Sequence, residues 1–236
     1  MKNILKVASM ALVLSLTLFG ITNKASAAKL TLYCSVEIDV CEMLEQAYEK
    51  ETGTKVAMTR ASSGETFAKI KAESSNPKGD VWFGGTGDPH LTAAQENLTE
   101  KYKSTHFNDL LPAAQNQAKN ADFKSVGIYV GALGFGYNKD LLAKKGLPAP
   151  KSWMDLTKPI YKGEIQVANP NSSGTAYTTL ATILQIFGED KGWDYMKKLH
   201  ANINTYTKSG SAPIKATGRG ENLIGICFQH DGVKQT

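Results

Sequence analysis

The sequence predicts an α/β protein of two lobes, each a mainly parallel sheet flanked by helices. Short β-prone runs alternate with segments of helical periodicity along most of the chain. Two hydroxyl-rich turns, Ser62-Ser63-Gly64-Glu65-Thr66 and Ser172-Ser173-Gly174-Thr175, stand far apart in the chain, each where a strand gives way to a helix. Between them, Val126 to Tyr137 interleaves Gly127, Gly131, Gly134 and Gly136 with apolar residues, the pattern of a strand that crosses from one lobe to the next.

Residues 1–27 come before the fold. Lys2 and Lys6 precede an apolar stretch from Val7 to Ile21, and Ala25-Ser26-Ala27 ends it. That is the pattern of a secretory signal peptide cleaved after Ala27, and the apolar run is shorter than the ~20 residues of a spanning helix. With no cysteine at the cleavage point, the expectation is a periplasmic protein that does not span the membrane. Removing this segment takes away Lys2, Lys6 and Lys24 but no acid, leaving 24 basic against 22 acidic residues and a net charge of +2. No basic run with interleaved aromatics occurs, which speaks against nucleic acid as a partner.

The first lobe is expected over 28–127. Leu30 to Tyr33 reads as a strand and Val40 to Glu51 as the following helix, with Met43, Leu44, Ala47 and Tyr48 at helical spacing and Gly53 as its stop. Lys55 to Thr59 is the next strand. Ser62 or Ser63 caps a helix through Phe67 to Glu73, with Glu65 in its first turn. Asp80 to Phe83 is a third strand, running into Gly84-Gly85-Thr86-Gly87-Asp88-Pro89-His90, and 91–118 reads as mainly helical with a break near Pro112. Cys34 ends the first strand and Cys41 lies in the next helix, so a small disulfide loop closes if their Cα atoms come within roughly 7 Å.

The crossing strand is expected over 128–137 and the second lobe over 138–236, with Trp153 and Leu156 as core anchors. Ile165 to Ala168 is a strand, Ala176 to Phe187 a helix and Asp194 to Ala201 another. Ser209 to Pro213 reads as a loop, and Leu223 to Phe228 as a buried strand by its unbroken apolar run, with Cys227 a buried thiol. Gln229-His230-Asp231 follow at its carboxyl end. A second lobe normally needs a return crossing, so the second lobe is expected to be incomplete at its C-terminal end.

In open α/β sheets ligands bind beyond the carboxyl ends of the strands. Five polar clusters are expected there: Ser35 with Glu37, Ser62 to Thr66, Gly84 to His90, Ser172 to Thr175, and His230 with Asp231. Helix N-termini carry unpaired N–H groups and about half a positive charge, so two hydroxyl-rich turns facing each other would clamp an anion. GGTGDPH has neither the lysine nor the spacing of a nucleotide-binding loop. Asp88 and His90 are either turn formers or polar contacts for ligand hydroxyls. A phosphatase-like hydrolase would use Asp88, His90, His230 and Asp231, but no nucleophile elbow and no zinc spacing accompany them. The expectation is a binding protein without catalysis, cofactor or metal.

The chain resembles the periplasmic solute-binding proteins of ABC importers, in their ferric-binding-like branch. The resemblance is carried by LYCSVEIDVCEML, MTRASSGETFAKIKAE, NPKGDVWFGGTGDPH, YVGALGFGYNKDLL, WMDLTKP, GEIQVANPNSSGTAYT and GICFQHDG. It implies a type II periplasmic-binding-protein fold, a monomer, and an inner-membrane permease as partner. Iron carriers of this branch place two adjacent tyrosines where this chain has Gln229-His230-Asp231, a departure that argues against ferric ion. GGTGDPH with the His-Asp pair is similar to the hexose-phosphate binders. That resemblance implies Ser62, Ser63, Thr86, Ser172, Ser173, Gly174 and Thr175 for phosphate, and Glu37, Asp88, His230 and Asp231 for sugar hydroxyls. Ferric and phosphonate cargoes stay open as alternatives.

Overall fold

A computed structural model describes residues 29–236; the expected signal peptide lies outside the described residues. The chain forms β1 (Lys29–Cys34), α1 (Ile38–Thr52), β2 (Lys55–Arg60), α2 (Ser63–Ala72), β3 (Val81–Phe83), α3 (Gly87–Gln95) and α4 (Pro112–Asn120). It continues through β4 (Leu133–Tyr137), α5 (Lys139–Lys145), β5 (Ile165–Ala168), α6 (Gly174–Phe187), α7 (Glu189–Asn202), β6 (Ile203–Thr207), α8 (Ala212–Gly218), β7 (Ile224–Phe228) and α9 (Gln229–Val233).

Two sheets result. The first, ordered β2-β1-β3, is wholly parallel, with Cys34 level with Arg60 on one side and Phe83 on the other. All three strands therefore end at one edge, and the segments leaving that edge lead into α1, α2 and α3. The second, ordered β4-β7-β5-β6, is parallel except for β4, which runs antiparallel to β7. Its core gathers Leu156, Ile165, Ile183, Leu199, Ile224 and Ile226, all fully buried, with Trp153 packed at the margin. β7 is interior to the sheet, as its apolar run requires. In the first half Cys34 and Cys41 are joined by a disulfide, their Cα atoms 6.1 Å apart, and Cys227 is a buried free thiol.

Three expectations need correction. The crossing strand is confined to Leu133–Tyr137; residues 126–132 form no ladder, because β7 pairs only from Leu133 onward and Tyr129 is tied instead to Gly85. The helical stretch over 91–118 is interrupted from 96 to 111, apart from a single 3-10 turn at Phe107–Asp109. Ile203–Thr207 is a strand, and the loop expected at 209–213 already contains the start of α8, with Pro213 in its first turn. His230 and Asp231, expected simply to follow the last strand at its carboxyl end, do so within a helical turn, α9.

Candidate functional site

Three helix N-termini converge. α2 leaves β2 through Ser62, α3 leaves β3 through Thr86, and α6 leaves β5 through Ser173. The Ser63 hydroxyl accepts a hydrogen bond from the Thr86 N–H at 3.3 Å, joining the first two. A Cβ placed on Gly174 would lie 2.1 Å from Thr86 Oγ1 and 2.9 Å from Ser63 Oγ, so only glycine lets α6 approach. The two halves also meet backbone to backbone: the Gly64 N–H donates to the Ser172 carbonyl at 3.0 Å, where any Cβ would strike Asn171 O at 2.5 Å. Thr86 Oγ1 is buried and has no hydrogen-bond partner among the described residues. Buried hydroxyls are rarely left so, and unpaired donors at a helix start suit an anion.

These termini form one wall of a cavity of about 640 Å³. Glu37, His230, Asp231 and Lys234 line it as well. Burial alone would raise the Glu37 pKa, but the ion pair with Lys215 from α8 and a hydrogen bond from Ser211 outweigh it and hold the carboxyl below its ordinary range. Asp231 shifts the other way. Burial pushes its carboxyl up; His230, with Nε2 at 3.7 Å, opposes that shift, and the nearby Glu37 charge adds to it. Asp88, in the first turn of α3, is likewise raised by burial, with the Thr86 hydroxyl opposing the shift from outside normal hydrogen-bond geometry. Tyr129 closes the side of the cavity, its hydroxyl donating to Gly85 O at 2.7 Å and accepting from Gly85 N at 2.8 Å.

Of the residues singled out in the sequence, Glu37, Ser62, Ser63, Thr86, Asp88, Ser173, Gly174, Thr175, His230 and Asp231 line this one cavity. Ser172 does not. Its hydroxyl donates to Lys208 O at 3.0 Å and faces a separate groove of about 330 Å³, because the turn directs Ser173 inward and Ser172 out. His90 is also outside: its ring stacks on Trp82 at 3.7 Å, and Nε2 lies 2.8 Å from Gly84 O. The four residues that a phosphatase would need therefore do not converge.

Sequence reasoning missed Arg60, Tyr129, Ser211 and Lys234, which also line the cavity. Arg60 had a usable signal, as the last residue of a strand that ends at the binding edge; its Nε donates to Val36 O at 2.9 Å. Tyr129 had none, since it sat in a run that read as strand. Among the described residues no group of three or more His, Cys, Asp or Glu side chains is placed to hold a metal ion. No described helix is long and apolar enough to cross a membrane.

The profile of the bacterial extracellular solute-binding proteins matches residues 80–234. A protein of Haemophilus influenzae, itself uncharacterised, is 44% identical over 228 residues, spanning 96% of this chain and 65% of its own length. Among solved structures, the periplasmic binding protein AfuA from Actinobacillus pleuropneumoniae, with exogenous fructose 6-phosphate bound, superposes with a TM-score of 0.86 at 45% identity, covering 89% of this chain and 66% of AfuA. The periplasmic binding protein P5PA superposes with a TM-score of 0.85 at 40% identity, covering 88% of this chain and 66% of its own. The chain thus spans about two thirds of the length of these relatives. AfuA and P5PA are periplasmic binding proteins by name, not enzymes. With the profile matched over well more than half its length, the chain belongs to the family of bacterial extracellular solute-binding proteins.

Proposed function

We propose that this protein captures a phosphorylated sugar, most simply a hexose phosphate, in the cavity between its two halves, and passes it to an ABC permease in the inner membrane. The phosphate is held by Ser62, Ser63, Thr86, Ser173, Gly174 and Thr175 at the three helix N-termini; Glu37, Asp88, His230 and Asp231 take the sugar hydroxyls. Lobes over 28–127 and 138–236 hinge through 128–137, the protein works as an extracytoplasmic monomer once residues 1–27 are removed, and it performs no chemistry. Because ligand touches both halves, it binds the closed form more tightly and shifts the population toward it.

The observation that supports this reading most is the buried, unpartnered Thr86 hydroxyl at the point where three helix dipoles meet. The fructose 6-phosphate bound by AfuA is consistent with it. Titration calorimetry with fructose 6-phosphate, free fructose, inorganic phosphate, 2-aminoethylphosphonate and ferric citrate tests it. Fructose 6-phosphate is expected to bind most tightly, and Thr86→Val to weaken it about 10- to 100-fold, the worth of one hydrogen bond to a charged group. Heat from ferric citrate or the phosphonate alone would overturn the reading.

A further inference from the structure

Two parts of the cavity lining differ in electrical character; what is inferred from the difference rests on the sugar-phosphate reading above. Around Ser63, Thr86 and Gly174 the wall consists of hydroxyls and helix N-termini, which favour negative charge. Around Glu37 and Asp231 each lysine is already matched: Lys215 pairs with Glu37, and Lys234 with Asp39 at 3.0 Å. The Arg60 guanidinium is engaged by Val36 O at 2.9 Å and Ser209 Oγ at 3.4 Å.

Asp231 is different. It is only 7% exposed, no lysine or arginine pairs with it among the described residues, and His230 Nε2 at 3.7 Å is too far for a hydrogen bond. Glu37 and the Tyr129 hydroxyl also face it and bring no positive charge, while Lys215 and Lys234 act on it only from beyond ion-pair distance, each already paired with another carboxylate.

We propose that Asp231 acts as a charge filter, so that the cavity accepts a monophosphate whose far end is neutral or cationic and rejects one carrying a second anion. A neutral hydroxyl or an ammonium group donates to this carboxylate. A second phosphate meets like charge where little water screens it.

Calorimetry on the full chain with fructose 6-phosphate, fructose 1,6-bisphosphate, glucose 6-phosphate and glucosamine 6-phosphate tests this. The bisphosphate is expected to bind at least about tenfold more weakly than the monophosphate, and glucosamine 6-phosphate at least as tightly as glucose 6-phosphate. Asp231→Asn, which keeps the shape and one acceptor oxygen, is expected to shrink the bisphosphate discrimination about tenfold. Equal binding of the two fructose phosphates would overturn the filter, and so would discrimination that survives Asp231→Asn, which would assign it to cavity shape. Absence of heat from all three monophosphates would remove the sugar-phosphate reading itself, and the filter with it.

Discussion

Among the described residues, thirteen buried side chains make up the core around the four-stranded sheet β4-β7-β5-β6, whereas the buried cluster around β2-β1-β3 contains only Leu32, Cys34 and Cys41. Two of those three are the disulfide cysteines. The second half is thus held by apolar packing and the first is thinly packed but cross-linked. Cys34 and Cys41 bracket Ser35, Val36, Glu37 and Val40, all of which line the cavity. The cross-link constrains the segment that must be placed correctly, while the large core holds the other wall.

The largest effect expected from this contrast comes from truncating the packed core. Leu199→Ala and Ile226→Ala, at positions with no exposed surface, should each cost about 3 to 4 kcal/mol in denaturant unfolding. Leu32→Ala in the thin core should cost about 2 kcal/mol, because fewer neighbours lose contact. Equal losses in the two halves would dissolve the comparison.

Next in size is the disulfide. Replacing Cys34 and Cys41 together by serine should lower stability by about 2 to 3 kcal/mol, the loop-closure entropy of so short a ring. The loss should be local. Amide exchange is expected to accelerate in β1, β2 and β3 and to change little in β5 and β7. Uniform acceleration throughout both sheets would mean that the halves unfold as one unit and that the staple serves them equally.

The sequence was readable where local rules and tertiary structure agree. The hydroxyl turns at 62–66 and 172–175 are helix starts at strand ends, so propensity, capping and topology all point one way. Even there Ser172 and Ser173 could not be told apart, since which of two neighbours faces inward depends on the path of the turn. β6, with Ile203, Thr205 and Thr207 alternating, was hidden because it begins at the residue after α7 with no turn between them. The glycine-rich segment 126–137 misled for another reason: strand propensity cannot report whether a neighbour is there to pair, and only its last five residues, β4, find β7. Arg60 was legible as the end of a strand at the binding edge, whereas Ser211 and Lys234 reach the cavity from elements whose mutual placement is tertiary.

The smallest expected effect turns on two carboxyls, one from each half, that face the same cavity and titrate in opposite directions. Glu37, beside Lys215, is held below its unfolded value of about 4.3, so it contributes stability above that pH and loses it as pH falls through the folded value. Asp231 is raised by burial above an unfolded value of about 3.9, so the folded protein holds the proton more tightly there, and stability declines as pH rises from about 3.9 through the raised value. At pH 7, Glu37→Gln should therefore destabilise the fold and Asp231→Asn should stabilise it, each by less than the core and disulfide changes. Both differences should fade toward pH 3.5 in denaturant midpoints measured across the range. Because the Glu37 charge itself raises Asp231, the gain from Asp231→Asn should be smaller in the Glu37→Gln background. Additive effects would mean that the two carboxyls do not sense each other across the cavity.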